Sequence, residues 1–258
     1  MKGQHFLVDK RIAERQINYA SLSDKDIVLE IGAGYGVLTK RIARKAKKVI
    51  AVEVDRRLAS SLENSLKGTP NVELICSDIL KIDFEEIPFN KVVSNLPYQI
   101  SSPVTFKLLE SDFDIGILMY QKEFADRLVA EPGSKNYSRL SVMASYSAEW
   151  EMLEVVPPAA FRPRPRVYSA IVRVVPGKRR FEVKNEALFY EVTKALFSHR
   201  RKKIKNSLVI EGLVSEENVG KLPYCEKRVE MISPQQIGEI SDIIAVMREN
   251  EGKNKENI

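Results

Sequence analysis

The strongest constraint on the fold is an alternation of short apolar runs with helical segments between residues 26 and 120. The apolar runs are rich in β-branched residues and read DIVLEIG, KVIAVEVD, NVELIC, KVVSN and FDIGILMY. Between them the sequence predicts helices near residues 36–46, 56–67 and 102–110. Strands that are apolar on both faces and separated by helices form parallel sheets covered on both sides. We therefore predict an α/β fold with a doubly wound parallel sheet.

The strand-like runs become longer after residue 120. A predicted helix near residues 121–131 and the loop EPGSKNYSR precede two longer strand-like runs, SAEWEMLEVV and VYSAIVRVV. We expect these two runs to close the sheet. The segment PPAAFRPRPR joins them, and its prolines restrict the backbone.

Helical periodicity replaces the strand pattern beyond Gly177. Apolar residues then recur at helical spacing, at Leu188, Val192, Ala195, Leu196, Ile204 and Leu208. A last helix is predicted from Ser233 as N-cap, Pro234 in the first turn and Gln236 as the capping-box partner. We expect the buried side of this helix to consist of Ile237, Ile240, Ile244 and Met247. The polar end ENEGKNKENI is expected to fray. We predict a catalytic domain over residues 1–177 and a small all-helical domain over residues 178–258.

Positive charge is concentrated in one stretch of the chain. The formal net charge is +6, yet residues 162–205 carry 14 lysines and arginines against three acids. Three clusters supply most of it: RPRPR at 162–166, KRR at 178–180 and RRKKIK at 200–205. Clustered cations beside an aromatic such as Phe161 favour binding to nucleic acid. A solvated cationic face is the alternative explanation for any single cluster.

Other classes of protein fit the composition poorly. With two cysteines, Cys76 and Cys225, and two histidines, His5 and His199, the chain offers no disulfide framework, zinc site or other metal cluster. We expect both cysteines to be small core residues. No apolar run approaches the roughly 20 residues needed to cross a bilayer. We therefore expect a cytoplasmic protein.

A glycine-rich loop directly follows the first strand of the predicted sheet. Glycines at 32, 34 and 36 let a backbone approach a ligand closely. Glu53, at the end of the second strand, is placed to accept hydrogen bonds from both ribose hydroxyls. Asp78 is placed to accept a hydrogen bond from an adenine amine. The glycine loop of a dinucleotide site has the spacing GxGxxG, whereas the spacing here is GxGxG. No basic or hydroxyl residue follows the loop to hold a phosphate, so S-adenosylmethionine, a nucleoside ligand without phosphate, fits better. The alternative is that the glycines form only a tight turn and bind no ligand. We expect Glu30 to organise the loop and its backbone amides instead of contacting a ligand.

The fourth strand ends in Ser94-Asn95-Leu96-Pro97-Tyr98. The Asn95 side-chain oxygen and the Leu96 carbonyl are suited to accept the hydrogens of an adenine amine, which activates its lone pair for attack on a methyl group. Tyr98 offers a stacking face for the base, and Phe161 is a candidate for its other face. The alternatives are a simple turn for the tetrapeptide and a core position for Phe161.

Eight segments, in order along nearly the whole chain, resemble the ribosomal RNA adenine dimethyltransferase family of the KsgA type, and in part its archaeal members. They are GQHFL, EIGAGYGVLT, EVD, SDIL, NLPYQISSP, PPAAFRPRPRVYSAIV, LFSHRRKKIKNSL and KRVEMISPQQI. The resemblance implies a Rossmann-like class I methyltransferase sheet and a small helical RNA-binding domain. It implies dimethylation of two adjacent adenosines in a hairpin loop near the 3′ end of small-subunit ribosomal RNA, during ribosome biogenesis.

The resemblance also implies roles for particular residues. The cofactor pocket is implied to contain His5, Leu7, Gly32, Glu53, Asp78 and Asn95. The target amine and base are implied to contact Asn95, Leu96, Tyr98 and Phe161. His5 departs from the asparagine that relatives often carry, although its backbone can still serve. The partner would be the assembling small ribosomal subunit, with no metal and no membrane, and a monomer suits that task.

Two other functions remain open from the sequence. One is methylation of an adenine in large-subunit RNA, as in antibiotic-resistance relatives. The other is a non-catalytic protein that uses the same fold and the basic clusters to bind RNA or DNA. The intact acids and the NLPY turn argue against the second, since a protein without turnover does not need them.

Overall fold

A computed structural model describes residues 4–177 and 180–256, with side chains as far as residue 250. The chain divides into two compact units. The first comprises residues 1–125 and 148–176, and the second comprises residues 126–147 and 177–258. The division near residue 177 coincides with the predicted domain limit. Residues 126–147, which the sequence analysis placed in the first domain, cluster with the C-terminal helices instead.

Nine strands are present in the described residues. They are β1 (Phe6–Leu7), β2 (Ile27–Ile31), β3 (Lys48–Val52), β4 (Val72–Ile75), β5 (Lys91–Asn95), β6 (Ile115–Gln121), β7 (Ala148–Val156), β8 (Phe161–Arg162) and β9 (Ser169–Pro176). The α-helices described are α1 (Lys10–Tyr19), α2 (Thr39–Ile42), α3 (Arg56–Ser65), α4 (Ser101–Leu109), α5 (Lys122–Leu128), α6 (Arg139–Ser147), α7 (Glu186–Ser198), α8 (Ile204–Ile210), α9 (Glu216–Val219) and α10 (Pro234–Glu256).

Seven of these strands form the central sheet in the order β4-β3-β2-β5-β6-β9-β7. Strands β2 to β6 run parallel, whereas β9 pairs antiparallel with both β6 and β7. The predicted doubly wound sheet and its closure by two long strands are confirmed. Strand order reverses between β2 and β5, where ligands bind in open α/β sheets because the crossovers diverge there.

Local signals explain most helix starts. Asp9 caps α1 by accepting from Arg11 N at 2.9 Å, and Asp55 caps α3 by accepting from Arg57 N at 2.8 Å. The helix predicted near 36–46 is shorter than expected, because only Thr39–Ile42 is α-helical and turns occupy its flanks. The left-handed conformation of Gly36, with φ of +76°, delays its start.

The second unit has its own apolar core. It contains the six residues predicted from helical spacing, together with Tyr137, Val142 and Tyr146 from the segment 126–147. The Tyr137 hydroxyl donates to the Ile232 carbonyl at 3.0 Å, and the Tyr146 hydroxyl donates to Glu186 at 2.9 Å. These buried contacts explain why residues 126–147 cluster with the C-terminal helices.

The last helix begins as predicted. Ser233 Oγ accepts from Gln236 N at 3.2 Å, and Gln236 Oε1 accepts from Ser233 N at 2.9 Å, which completes the capping box. The helix buries Ile237, Ile240 and Ile244, while Met247 is half-buried against the same core. The expectation that its polar end frays is wrong as far as Glu256, which is still helical; residues 257–258 lie outside the described part.

Two further points concern individual residues. Cys76 is exposed and Cys225 is half-buried, so the expectation of two core cysteines is wrong for Cys76. Cys76 lies just past the end of β4, where the chain leaves the sheet. Among the described residues, none of the helices combines the length and the apolarity that crossing a membrane requires.

Candidate active site

A cavity of about 550 Å³ opens at the carboxyl ends of the parallel strands. It lies at the point where the strand order reverses, between the ends of β2 and β5. Its lining includes every residue that the sequence analysis named for the cofactor or the target base: His5, Leu7, Gly32, Glu53, Asp78, Asn95, Leu96, Tyr98 and Phe161. The structure brings these nine residues to one place, and their individual roles remain predictions.

The glycine loop packs against two other parts of the cavity. Gly32 has φ of +76°, and a Cβ there would lie 3.3 Å from Pro97 Cδ. Gly34 has φ of +55°, and a Cβ there would lie 3.2 Å from the Phe6 ring. Because both positions are left-handed and both are closely packed, the sequence needs glycine at each. The loop therefore sets the spacing between the cavity, the NLPY turn and the N-terminal arm.

Glu53 holds the glycine loop in position. Its Oε2 accepts from Gly34 N at 2.9 Å, and its Oε1 accepts from Asp55 N at 2.9 Å. The side chain is buried at 4% exposure. The sequence analysis assigned the organisation of the loop amides to Glu30, and that expectation is wrong, since the bond to Gly34 N comes from Glu53. Each carboxylate oxygen keeps a second lone-pair direction for a ligand hydroxyl.

Glu30 is a buried acid at the floor of the cavity. It is 2% exposed, and its buried Oε2 has no hydrogen-bond partner in residues 4–177 and 180–256. Burial raises the pKa of Glu30 to about 8; the nearby polar groups of Thr39 oppose this shift, and the negative charge of Glu53 adds to it. Glu30 therefore carries a proton near neutral pH in the free protein.

The raised pKa of Glu30 predicts a specific pH dependence of stability. Because the folded state binds this proton more tightly than the unfolded state does, the free energy of unfolding falls as the pH rises from 4.5 to about 8. The loss is on the order of a few kcal/mol. We expect Glu30→Gln to remove this component, so that the variant gains stability relative to the wild type between pH 5 and pH 9.

Urea denaturation of both proteins at pH 5, 7 and 9 measures this difference directly. The comparison cancels the contributions of all other titrating groups. A difference in the free energy of unfolding that is the same at all three pH values would contradict the raised pKa.

Polar side chains connect the ends of β2 and β5 at the cavity. Ser94 Oγ donates to the Ile31 carbonyl at 2.6 Å, which bridges β5 and β2 beyond their last paired residues. Gln16 Nε2 donates to the Ser94 carbonyl at 3.2 Å from α1. The sequence analysis missed the roles of Ser94 and Gln16. A polar residue inside an otherwise apolar strand, as in KVVSN, was the available signal for Ser94.

Asn95 is the residue of the NLPY turn with an unused polar group. Its Oδ1 is buried at the end of β5 and has no hydrogen-bond partner among the described residues. Leu96 is buried and its backbone N donates to the Met119 carbonyl at 3.2 Å, which attaches the turn to β6. An unpaired buried acceptor costs free energy in the absence of a ligand. Because Asn95 also lines the cavity, its Oδ1 is a candidate acceptor for a ligand that enters there.

Tyr98 lies half-buried at the cavity, after the fixed turn at Pro97. Its hydroxyl is 2.7 Å from Ser169 Oγ at the start of β9. Burial raises the pKa of Tyr98, and the hydrogen bond with Ser169 partly offsets the shift, so the phenol stays neutral. The sequence analysis missed Ser169, for which the serine within the apolar run VYSAIV was the signal.

The N-terminal arm forms part of the cavity wall. Strand β1 pairs antiparallel with β8, so that Leu7 lies opposite Phe161. His5 Nδ1 is 2.7 Å from the Pro163 carbonyl, and the Phe6 ring packs edge-on against Tyr35 at 4.7 Å. Phe161 is 2% exposed and belongs to the core cluster, as the core alternative expects. It also lines the cavity, and its contact with a base stays a prediction. Gly3, the start of the GQHFL segment, lies outside the described residues.

The acids give the cavity a negative character. Glu53 and Asp78 line it beside the protonated Glu30, and among its described lining residues there is no lysine or arginine. Asp78 Oδ1 accepts from Leu80 N at 3.0 Å and so caps the short turn that follows β4. A cationic ligand without phosphate, such as S-adenosylmethionine, matches the acids Glu53 and Asp78. Within the described residues, no group of His, Cys, Asp and Glu is arranged to hold a metal ion.

The basic clusters differ in how many of their charges are free. In the RRKKIK cluster of the second unit, Arg200 pairs with Glu230 at 3.1 Å and Lys203 pairs with Glu226 at 2.6 Å. Lys205 also pairs with Glu226. Three of the five cations of this cluster are thus paired with two acids, as expected for a solvated cationic face. Of the KRR cluster, residues 178–179 lie outside the described part.

Comparison with known proteins gives concordant matches. The family model described as ribosomal RNA adenine dimethylase matches residues 2–245. A probable ribosomal RNA small subunit methyltransferase A from Methanosarcina acetivorans is 48% identical over 248 residues, covering 93% of this chain and 91% of the relative. One of the same description from Methanococcus maripaludis (strain C7) is 46% identical over 252 residues, covering 94% of this chain and 96% of the relative.

Two solved structures are similar over most of the chain. A dimethyladenosine transferase from Plasmodium falciparum superposes with a TM-score of 0.82 at 29% identity, covering 96% of this chain and 98% of that one. The 23S rRNA methyltransferase ErmE superposes with a TM-score of 0.72 at 28% identity, covering 93% and 99%. These likenesses extend through the helical second unit as well as the sheet.

Proposed function

The chain belongs to the ribosomal RNA adenine dimethylase family, and from this premise we propose that it dimethylates adenosines of small-subunit ribosomal RNA with S-adenosylmethionine as methyl donor. The observation that carries this proposal is the unpaired Asn95 Oδ1 beside the acidic cavity. An acceptor at that position is what an exocyclic amine requires. The curated relatives named above support the choice of the small subunit.

Different residues of the cavity contact the amine and the faces of the target base. S-adenosylmethionine, when bound, supplies a methyl group made electrophilic by a positively charged sulfur. Asn95 Oδ1 and the Leu96 carbonyl accept the two amine hydrogens of the adenine, which favours the pyramidal nitrogen whose lone pair attacks. Tyr98 stacks on one face of the base, with Phe161 on the other side. Because Leu96 N is bonded to β6 and Pro97 restricts the turn, these acceptors are preorganised.

The acids Glu53 and Asp78 bind the cofactor and take no part in the methyl transfer itself. Glu53 accepts the ribose hydroxyls through its remaining lone pairs, and Asp78 accepts the adenine amine of the cofactor. His5, Leu7 and Gly32 complete the pocket. No general base is needed during transfer, since the methylated amine is acidic enough to lose its proton to water afterwards. The neutral Tyr98 is consistent with a stacking role instead of a proton-transfer role.

The finer features of the proposal concern the RNA and the setting. We propose that the targets are two adjacent adenosines in a hairpin loop near the 3′ end of the RNA. The protein acts as a monomer in the cytoplasm, on assembling small subunits. The second unit supplies part of the RNA contact, through the exposed Arg201 and Lys202, which have no acidic partner among the described residues.

Methylation of large-subunit RNA is the second candidate. The likeness to ErmE favours it, at nearly the same identity as the dimethyladenosine transferase. The higher TM-score of the latter and the descriptions of the curated relatives favour the small subunit.

Transfer of labelled methyl groups to isolated subunits distinguishes the candidates. We expect the protein and labelled S-adenosylmethionine to methylate unmodified small subunits, with up to four methyl groups per subunit if two adenosines are dimethylated, and to leave large subunits unlabelled. Subunits that already carry the mark serve as the control. Labelling of the large subunit alone would establish the second candidate. If calorimetry detects no binding of S-adenosylmethionine, a non-catalytic RNA-binding protein is the remaining explanation.

A further inference from the structure

The segment Arg162–Tyr168 is attached at both ends to aromatic residues of the cavity. It begins after Phe161, where β8 pairs with the N-terminal arm and the Pro163 carbonyl meets His5 at 2.7 Å. It ends before Ser169, whose hydroxyl is 2.7 Å from the Tyr98 hydroxyl. The Tyr168 carbonyl also accepts from Lys122 N at 2.9 Å. The segment therefore has a defined position at the edge of the cavity.

Its side chains, in contrast, are directed to solvent. Apart from Pro165, every residue of the segment is exposed, and Tyr168 is 54% exposed. Arg162 donates to its neighbouring Phe161 carbonyl at 3.0 Å. Within the described residues, Arg164 and Arg166 have no hydrogen bond or ion pair, and the Tyr168 ring has no aromatic contact. Ordering an exposed tyrosine and two unpaired guanidinium groups beside a cavity brings no benefit to folding that the structure reveals.

We propose that Arg162–Tyr168 is a clamp for the single-stranded RNA on either side of the target adenosine. Arg164 and Arg166 bind backbone phosphates, and Tyr168 stacks on a base next to the flipped one. A flipped base leaves its neighbours unstacked, so the exposed ring of Tyr168, which directly precedes Ser169, offers a face that replaces lost stacking. This inference rests on the proposed function, and it assigns binding of the flanking nucleotides to a segment distinct from the residues that contact the amine.

Charge-removing variants test the arginines. We expect Arg164→Gln/Arg166→Gln to raise the KM for unmodified small subunits about tenfold at unchanged kcat. The dependence of log affinity on log salt should become shallower by about 1.4, since each phosphate contact to a single strand contributes about 0.7. Fluorescence anisotropy of a fluorescein-labelled 12-nucleotide oligoadenylate measures that slope. Arg44→Gln/Lys47→Gln is the matched control, because it removes the same charge at the opposite edge of the sheet, where both residues are exposed.

Tyr168 variants test the stacking contact separately. We expect Tyr168→Ala to weaken oligoadenylate binding about tenfold without changing the salt slope, because stacking releases no counterions. Tyr168→Phe keeps the ring and should bind as the wild type does. The two sets of variants therefore differ in signature: the arginines change the slope, and the tyrosine changes the affinity at every salt concentration.

The results separate this inference from the proposed function. If the wild type transfers methyl groups but Arg164→Gln/Arg166→Gln keeps the wild-type KM and salt slope, or behaves as the control does, the clamp is wrong. Loss of S-adenosylmethionine binding in these variants would also overturn it, since the segment would then act by shaping the pocket. If the wild type transfers no methyl groups, the proposed function fails, while the anisotropy measurements still decide whether the segment binds RNA.

Discussion

Asn95→Ala is expected to lower kcat for methyl transfer about 10²- to 10³-fold, the loss typical of removing one preorganised polar group that acts on the transition state. The physical reason is the position of Asn95 Oδ1, a buried acceptor that has no partner within the part of the chain that the structure describes. An acceptor that forms no bond within the fold is available to the substrate amine. Since its removal breaks no internal hydrogen bond, the midpoint of thermal unfolding should change little.

Asn71→Ala is the matched control for this substitution. Asn71 Nδ2 donates to the Ala43 carbonyl at 2.8 Å and to the Ala46 carbonyl at 3.1 Å, at the opposite edge of the sheet. Its loss should cost about 1–3 kcal/mol of stability by leaving carbonyls unpaired, with kcat unchanged. Single-turnover methylation assays and thermal unfolding of both variants give the comparison. Wild-type turnover by Asn95→Ala would contradict the assigned role.

The sheet and the site location were predictable because both depend on local patterns. Largely apolar runs such as Ile27–Ile31 and Lys48–Val52 are typical of buried parallel strands, and the carboxyl ends of such strands meet at one edge. Residues that follow those runs, among them Glu53 and Asn95, therefore lie around one cavity. The capping box at Ser233 was predictable for the same reason, since all its bonds lie within four residues.

Other features depend on contacts between distant parts of the chain. Strand β1 is two residues long and forms only because Leu7 meets Phe161, more than 150 residues away. Helix α6 runs directly into β7 without a glycine or proline between them, so the sequence has no visible boundary at Ser147. Residues 126–147 were placed in the first domain because their contacts with α7 and α10 have no local signal.

The division of roles between Glu30 and Glu53 was equally inaccessible from the sequence. Both acids follow or end an apolar run, and either could accept from the loop amides. The choice depends on the geometry of the loop, where Glu53 Oε2 reaches Gly34 N at 2.9 Å from the neighbouring strand. Glu30 is left buried with an unpaired oxygen, which gives it a raised pKa in place of a structural bond.

Gly32→Ala is the second substitution for which we expect a large effect. Two consequences of a Cβ at this position differ in kind. The left-handed backbone, with φ of +76°, costs about 1–2 kcal/mol for any L-residue with a side chain. The Cβ would also lie 3.3 Å from Pro97 Cδ, so the NLPY turn has to move by a few tenths of an ångström. Displacement of the turn moves Asn95 and Tyr98 relative to the bound cofactor.

Gly68→Ala separates the backbone strain of Gly32→Ala from its contact with Pro97. Gly68 has φ of +88°, and a Cβ there meets nothing within 4 Å. Urea denaturation should show that both variants lose the free energy that the left-handed backbone costs, with a further loss in Gly32→Ala from the contact with Pro97. Only Gly32→Ala should lower kcat/KM, by about 10- to 100-fold, because small misplacements of reacting groups are costly. Equal kcat/KM in the two variants would mean that the glycine loop and the turn act independently. A selective loss in Gly32→Ala would instead mean that the loop spaces the methyl donor from the amine acceptors through Pro97.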